Sequence, residues 1–178
     1  MIDSGLMIGH FQPLHLGQMR SILAAAGQVK SLYIVITSHP APHPDFDITL
    51  KDKARWLQMA CADLPFIHLH ISEEIALPIH DDFSDVAIDV TETQAKLTHI
   101  AHELELPDDT ALFVAENHPI AQEAVKSQLS MPVLTTPLQS EFNSYAIASN
   151  PIANWAAIHP IARANYTKTV AIVGGESS

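Results

Sequence analysis

The sequence is short of positive charge and nearly free of cysteine. Nine lysines and arginines stand against 20 aspartates and glutamates, which gives a formal net charge of −11. Such a chain repels phosphate backbones at long range, so we expect no nucleic-acid partner. The single cysteine, Cys61, excludes a disulfide within the chain and agrees with a reducing compartment. Residue type alone leaves Cys61 open to two interpretations, a small buried side chain or a reactive thiol.

Long hydrophobic runs are also missing. The longest, such as residues 32–36, are far too short to cross a bilayer, and no basic start followed by an apolar stretch marks a signal peptide. We therefore expect no membrane partner and a cytoplasmic location. The 178 residues, 47% of them hydrophobic, suffice for one ordinary domain with a sizeable core.

Apolar segments typical of strands alternate with segments typical of helices. This alternation predicts an α/β fold, a doubly wound parallel sheet with helices on both faces. In such sheets ligands bind at the carboxyl ends of the strands, at a topological switch point. The predicted strands are residues 6–9, 32–36, 66–71, 111–114, 131–134 and 169–173, and the predicted helices are 18–26, 49–62, 86–104, 119–128 and 150–158.

The loop after the first strand carries the clearest motif. It reads Gly9-His10-Phe11-Gln12-Pro13-Leu14-His15-Leu16-Gly17-Gln18. Gly9 would let a ligand approach the backbone, and Gly17 lies where free helix amides can meet phosphate oxygens. Histidines in the loop can donate hydrogen bonds to developing phosphate charge. The motif thus predicts a nucleotide-phosphate site.

The spacing Gly-x-Phe-x-Pro-x-His-x-Gly resembles that of nucleotidylyltransferases of the HxGH superfamily. The chain ends on an apolar segment and Gly174-Gly175-Glu176-Ser177-Ser178, which resembles the start of a P-loop. Together these segments resemble the bifunctional nicotinamide-mononucleotide adenylyltransferase and ribosylnicotinamide kinase family. The resemblance implies a Rossmann-like nucleotidylyltransferase domain over residues 1–165 and the beginning of a truncated kinase domain over 166–178.

The resemblance also implies a reaction and the residues that serve it. ATP and nicotinamide mononucleotide would give NAD and pyrophosphate, with Mg²⁺ shielding the phosphates of ATP. Whether the protein is a homo-oligomer stays open. The implied catalytic residues are His15 and Gln18; the implied nucleotide-binding residues are Gly9, His10, Phe11, Pro13, Gly17, Glu116, Asn117, Asn143 and Ser144; the implied substrate-binding residues are Arg55, Trp56 and His39.

Three positions depart from the family pattern, and each reduces a cationic contact. Gln18 stands in place of the second motif histidine, Ala148 in place of an arginine, and His10 in place of a lysine or arginine. Loss of one charge-stabilising donor typically costs about a hundredfold or more in rate. The alternative function is therefore a catalytically degenerate domain that senses ATP or NAD.

Several of these residues also have a plain structural explanation. Arg55 could form an ion pair with Asp52, Trp56 could belong to the core, Asn117 could cap a helix, and His39 could be an ordinary loop residue. The 11 histidines raise a third possibility, a metal enzyme. Its candidate pairs are His68 with His70 on one strand face and His99 with His102 on one helix, with packed or solvated side chains as the alternative.

Overall fold

The computed structural model describes residues 1–38, 48–73, 88–137 and 141–167. The strands are β1 (Ile2–Gly9), β2 (Val29–Thr37), β3 (Ile67–Ser72), β4 (Ala111–Ala115) and β5 (Val133–Thr136). The helices are α1 (Leu16–Ala26), α2 (Leu50–Ala60), α3 (Val90–Glu103), α4 (Glu123–Lys126), α5 (Ser144–Ser149) and α6 (Pro160–Arg163). Short 3₁₀ turns cover Pro119–Ala121, Trp155–Ala157 and Ala164–Tyr166.

The five strands form one parallel sheet in the order β3-β2-β1-β4-β5. The chain moves outward from β1 to β3 and then returns to the other side of β1 with β4. The point between β1 and β4 is therefore the topological switch point, where parallel α/β sheets bind ligands. The doubly wound parallel sheet predicted from the sequence is confirmed.

Two apolar layers cover the sheet, as its alternating side chains require. Met7 of β1 packs on the face covered by α1, α2 and α6, whereas Leu6 and Ile8 pack on the face covered by α3. Both faces are buried, which explains why β1 and β2 read as continuous apolar runs instead of alternating ones.

Capping residues fix several helix boundaries at the positions that the sequence predicts. Thr49 caps α2, and its hydroxyl accepts from the backbone N–H of Asp52 while the Asp52 carboxylate accepts from the backbone N–H of Thr49. Gly27 ends α1, with its N–H donating to the carbonyl of Leu23.

The predicted helix over residues 150–158 is wrong. The helix in this region, α5, ends at Ser149, and Asn150 is its C-cap. Because Pro151 disfavours helical geometry in the residue before it, Asn150 has φ −143° and ψ 75°. The Asn150 side chain then accepts from the backbone N–H of Ala153 and forms a turn, which is followed by the 3₁₀ turn Trp155–Ala157 and by α6.

The predicted helix over 119–128 is interrupted. Gln122 is extended, with ψ 133°, and separates the 3₁₀ turn Pro119–Ala121 from α4. The predicted strand 169–173 and the segment 174–178 lie outside the described residues. In the described part of the chain, every helix is too short or too polar to span a membrane.

Gly5 in β1 offers a test of how tightly the centre of the sheet is packed. An added Cβ would lie 2.6 Å from Cε2 of Phe113 and 3.0 Å from Cγ1 of Val29. Since Phe113 is fully buried, we expect Gly5→Ala to lower the free energy of unfolding by about 1–3 kcal/mol in urea titrations.

Gly27→Ala is the matched control for Gly5→Ala. At Gly27 the nearest atom to an added Cβ is 3.6 Å away and the backbone is right-handed helical. The control should change stability by no more than about 1 kcal/mol. Equal losses in the two variants would contradict the account of the core.

Candidate nucleotide site at the carboxyl end of β1

The loops after β1 and β4 meet at the switch point. In the parallel register Gly5 pairs with Ala111, so Gly9 at the end of β1 lies level with Ala115 at the end of β4. The two predicted nucleotide-binding segments, the loop from Gly9 and the pair Glu116 and Asn117, therefore occupy the same edge of the sheet. Glu116 and Asn117 are exposed there. The cap of the following 3₁₀ turn is His118, so the interpretation of Asn117 as its cap is wrong.

Buried side chains fix the conformation of the loop between β1 and α1. Phe11 has a left-handed backbone, with φ 48°, and its ring lies in the core with 1% of its surface exposed. The Gln12–Pro13 peptide is cis. The carbonyl of Leu14 accepts from the backbone N–H of His159 at 2.9 Å. Pro13 is also buried. Phe11 and Pro13 therefore fix the conformation of the loop by packing into the core.

His15 and Gln18 bond to each other across the first turn of α1. Nδ1 of His15 accepts from the backbone N–H of Gln18 at 3.3 Å, and Oε1 of Gln18 accepts from the backbone N–H of His15 at 3.2 Å. This reciprocal pair is a capping box in which histidine takes the place of serine or threonine. Both side chains are buried, with 4% of the surface of each exposed.

Nε2 of Gln18 is a further buried donor. It has no hydrogen-bond acceptor among the residues that the structure describes. A buried donor without an acceptor lowers the stability of the folded protein by about 1–3 kcal/mol. A hydrogen bond from this donor to a ligand oxygen or to water would restore that stability.

The segment before α5 covers this first turn. The Phe142 ring stacks on His15 with centroids 6.0 Å apart, and the Arg20 guanidinium lies 5.1 Å from the centre of the Phe142 ring. Arg20 also pairs with Glu141. Only glycine fits at residue 17, because an added Cβ would come within 2.8 Å of Cβ of Phe142. Gly17 therefore permits the close contact between α1 and this segment.

Through this contact, α5 brings Asn143 and Ser144 to the motif loop. Oγ of Ser144 lies 2.8 Å from Nε2 of His15. Oδ1 of Asn143 accepts from the backbone N–H of Ala146 and caps α5. Ser144 thus directly contacts the predicted catalytic histidine, although the two residues are 129 positions apart.

The sequence analysis missed a cation at this edge. Lys53 of α2 has 2% of its surface exposed, and its ammonium donates to the carbonyl of Thr37 at the end of β2, at 3.4 Å. The Thr37 hydroxyl bonds to Nδ1 of His10 at 2.9 Å. A buried lysine is rare enough to signal a site. No sequence motif points to Lys53, because residue 53 lies outside the glycine-rich loop and has the sequence surroundings of a surface helix position.

Two predicted substrate residues on α2 lie in different environments. Nη2 of Arg55 is 3.8 Å from Oδ1 of Asp52, and its side chain is mostly exposed. Trp56 is fully buried, and its indole N–H donates to Oδ1 of Asn165 at 3.0 Å. The Trp56 position favours a packing role over stacking on a ligand. His39 lies outside the described residues.

His68, His70 and Cys61 lie in packed or polar surroundings. The His68 ring lies 5.0 Å from the Tyr33 ring, and Nε2 of His70 lies 3.3 Å from the Glu103 carboxylate. Within the described ranges, no three histidine, cysteine, aspartate or glutamate side chains form a group that could hold a metal ion. Burial raises the pKa of the Cys61 thiol, which argues against a reactive thiolate.

Solved structures with a similar fold include a NadR protein, an NMN adenylyltransferase and a putative nicotinate-nucleotide adenylyltransferase. A NadR protein in complex with NAD and AMP-PNP has 18% identity and a TM-score of 0.62, over 94% of this chain and 48% of that one. A bifunctional NMN adenylyltransferase/ADP ribose pyrophosphatase from Francisella tularensis, complexed with AMP and a manganese ion, has 15% identity and a TM-score of 0.58, over 84% of this chain and 41% of that one.

A third similar structure matches over its whole length. It is a putative nicotinate-nucleotide adenylyltransferase from Vibrio parahaemolyticus, with 12% identity and a TM-score of 0.57, over 94% of this chain and 100% of that one. The chain thus shares the Rossmann-like fold of these structures. It spans about half the length of the NadR structure. The sequence matches no family model.

His159 provides a pH test of how the site is held together. Nδ1 of His159 accepts from the backbone N–H of Ile161 at the start of α6, so this cap needs the neutral ring. Burial, and then the nearby charge of Arg163, lower the pKa of His159 from its ordinary value of 6.5. The unfolded chain therefore binds the proton more readily. The stability that the neutral ring contributes is complete above pH 6.5 and is lost as the pH falls through the folded pKa.

We expect His159→Asn to flatten this part of the pH dependence, because asparagine keeps a capping oxygen but does not titrate. Urea titrations of both proteins at pH 7.5 and pH 5.5 measure the difference. A loss of stability on acidification that is the same in the two proteins would contradict the assignment.

Proposed function

We propose that this chain binds ATP at the carboxyl end of β1 and transfers its AMP group to nicotinamide mononucleotide. The observation that carries the proposal is the meeting of His15, Gln18 and Ser144 at the first turn of α1, beside the switch point of the sheet. A helix start at a switch point binds phosphate oxygens in many nucleotide-binding folds. Two of the similar solved structures contain nucleotides, NAD with AMP-PNP in one and AMP in the other, which supports a nucleotide ligand of this kind.

The first turn of α1 provides uncharged donors for the ATP phosphates. By helix geometry the amides of Leu16 and Gly17 have no acceptor inside the helix. Nε2 of Gln18 adds a buried side-chain donor. These groups and the positive end of the helix dipole attract anions without a formal charge.

Lys53 provides the formal positive charge in our proposal. Its ammonium is buried at the carboxyl end of β2, which adjoins β1. A charge in such a dry setting acts more strongly on a neighbouring phosphate than a charge in water does. Lys53 would thereby offset the cations that Gln18, Ala148 and His10 do not supply.

In the proposed reaction, an oxygen of the mononucleotide phosphate attacks the α-phosphorus of ATP. A new phosphorus–oxygen bond joins the two nucleotides as NAD, the bond from the α-phosphorus to the bridging oxygen breaks, and pyrophosphate leaves. The protein positions the phosphates and stabilises their charge, and no enzyme nucleophile is needed.

Mg²⁺ enters this proposal only as the counterion of ATP. The described residues form no cluster of three metal-ligating side chains, so they do not fit a resident metal. We therefore propose that the ion arrives with the nucleotide, and that it partly neutralises the triphosphate.

A sensor of ATP or NAD is the second candidate function. It is favoured by the absence of any lysine or arginine from α5, whose six residues are Ser-Tyr-Ala-Ile-Ala-Ser. Purified protein with ATP, Mg²⁺ and nicotinamide mononucleotide separates the two functions when NAD is measured over time. NAD formation supports the transferase, and ATP binding without any turnover supports the sensor.

The contribution of Lys53 can be measured in the same assay. We expect Lys53→Met to reduce NAD formation by about tenfold or more, since a hydrogen bond to a charged group contributes about 1.5–3 kcal/mol. Methionine fills a similar volume, so the fold should survive, which circular dichroism checks.

Lys51→Met is the control for this variant. Lys51 lies on the same helix but is exposed. Its replacement should leave the rate within about twofold, because exposed ionic contacts contribute little. Equal effects of the two substitutions would show that Lys53 has no special part in the site.

A further inference from the structure

The side-chain amide of Asn165 contacts two residues of α2 that lie one helical turn apart. Its Oδ1 accepts from the indole N–H of Trp56 at 3.0 Å. The Asn165 side chain also forms a hydrogen bond with the carboxylate of Asp52. An indole N–H can only donate and an ionised carboxylate can only accept, so the two partners together fix which way round the amide lies. Asn165 thus joins the first and second turns of α2 in a single orientation.

The start of α2 depends on the same carboxylate. Oδ2 of Asp52 accepts from the backbone N–H and from the hydroxyl of Thr49, at 3.0 Å and 2.8 Å, within the capping box of the helix. Burial would raise the pKa of Asp52, but the hydrogen bonds from Thr49 and Asn165 and the charge of Arg55 hold this pKa below its ordinary value. The carboxylate is therefore ionised at neutral pH and can hold the helix start and Asn165 together.

Lys53 follows Asp52 and lies on the buried side of α2. Its ammonium donates to the carbonyl of Thr37 at 3.4 Å, which is long for a hydrogen bond. A contact of this length tolerates little further displacement of the helix. The place of the ammonium at the edge of the sheet therefore depends on how the first two turns of α2 are held.

Asn165 can hold α2 because its own turn is anchored in the core. Asn165 is the middle residue of the 3₁₀ turn Ala164–Tyr166, and the Tyr166 side chain is buried. Ala162 of α6 lies in the same apolar cluster as Trp56, where α6 packs against α2. The turn is thus a fixed point against which the helix is set.

We propose that Asn165 is a positioning residue, which sets the place of the Lys53 ammonium at the nucleotide site. It acts through α2, by holding Asp52 and Trp56 on either side of Lys53 in the sequence, and has no need to touch the nucleotide. Packing alone would require only a side chain of similar size, whereas positioning requires the donor and the acceptor that asparagine combines. The part that Lys53 plays toward the nucleotide rests on the proposed function.

The rate at which acetic anhydride acetylates Lys53 tests its position without any ligand. Mass spectrometry gives this rate relative to that of Lys51, which is exposed on the same helix. Asn165→Leu keeps a side chain of similar shape but removes both hydrogen bonds. We expect Lys53 to react about threefold faster or more in this variant, because the start of α2 opens more often, and Lys51 to react as before. An unchanged rate at Lys53 would overturn the proposal.

Cys61 shows whether a variant simply loses the helix. Its thiol is buried at the other end of α2, where Cys61 is the C-cap. In Asn165→Leu, Cys61 should react with an aromatic disulfide reagent as slowly as in the unaltered protein. If Cys61 and Lys53 became reactive together, the role of Asn165 would be general stability, and the inference would be wrong. Thr167→Ala alters an exposed residue two positions further on and should change neither rate.

A second variant, Asn165→Asp, covers the case in which Asn165→Leu does not fold. It keeps an acceptor for the Trp56 indole but places a second carboxylate beside Asp52, and like charges at this distance repel each other. We expect faster acetylation of Lys53 here as well, with Cys61 still protected. Full protection of Lys53 in Asn165→Asp would show that the hydrogen bond to Asp52 does not set its position, contrary to the proposal.

NAD formation tests whether Asn165 acts through Lys53. We expect Asn165→Leu to lower the rate about fivefold, and to have no further effect in the Lys53→Met background, because the two residues belong to one network. The same loss in both backgrounds would refute the positioning role. If the unaltered protein formed no NAD, the proposed function would fail, and the acetylation rates would still support or overturn the position assigned to Lys53.

Discussion

The reciprocal hydrogen bonds between His15 and Gln18 are the constraint on which the rest of the site depends. They start α1 at the carboxyl end of β1 and hold the imidazole ring in one orientation. Phe142 can then stack on the ring, and the glycine at 17 gives it room. This contact brings Ser144 to the loop. The ion pair between Arg20 and Glu141 and the packing of Phe142 against Gly17 hold the same two segments together.

The same constraint explains how a chain with few cations could bind an anionic ligand. Fixed neutral donors cost little reorganisation when a ligand arrives, because folding has already oriented them. In the proposed function, one buried ammonium, Lys53, would add charge from the neighbouring strand end. The site would then rely on oriented donors and their burial more than on the number of charges.

Periodicity and turn residues were enough to predict the parallel sheet and to indicate the loop after β1 as the candidate site. The alternation of apolar segments predicted the doubly wound parallel sheet but not the order of its strands, and Gly9 to Gln18 marked the loop after β1 as the candidate site. Residues 144–158 were predicted poorly, because α5 depends on a side-chain cap by Asn143 and on Pro151 ending the helix. The contact of Ser144 with His15 and the burial of Lys53 depend on tertiary packing, which local patterns do not carry.

Mapping the ATP site by NMR tests the central claim most directly. ¹⁵N-labelled protein titrated with Mg·ATP should show its largest amide shift changes at Leu16, Gly17 and Gln18 and at Ser144. Saturable binding with changes confined to other parts of the chain, or no binding at millimolar nucleotide, would contradict the claim that this corner holds a nucleotide's phosphates.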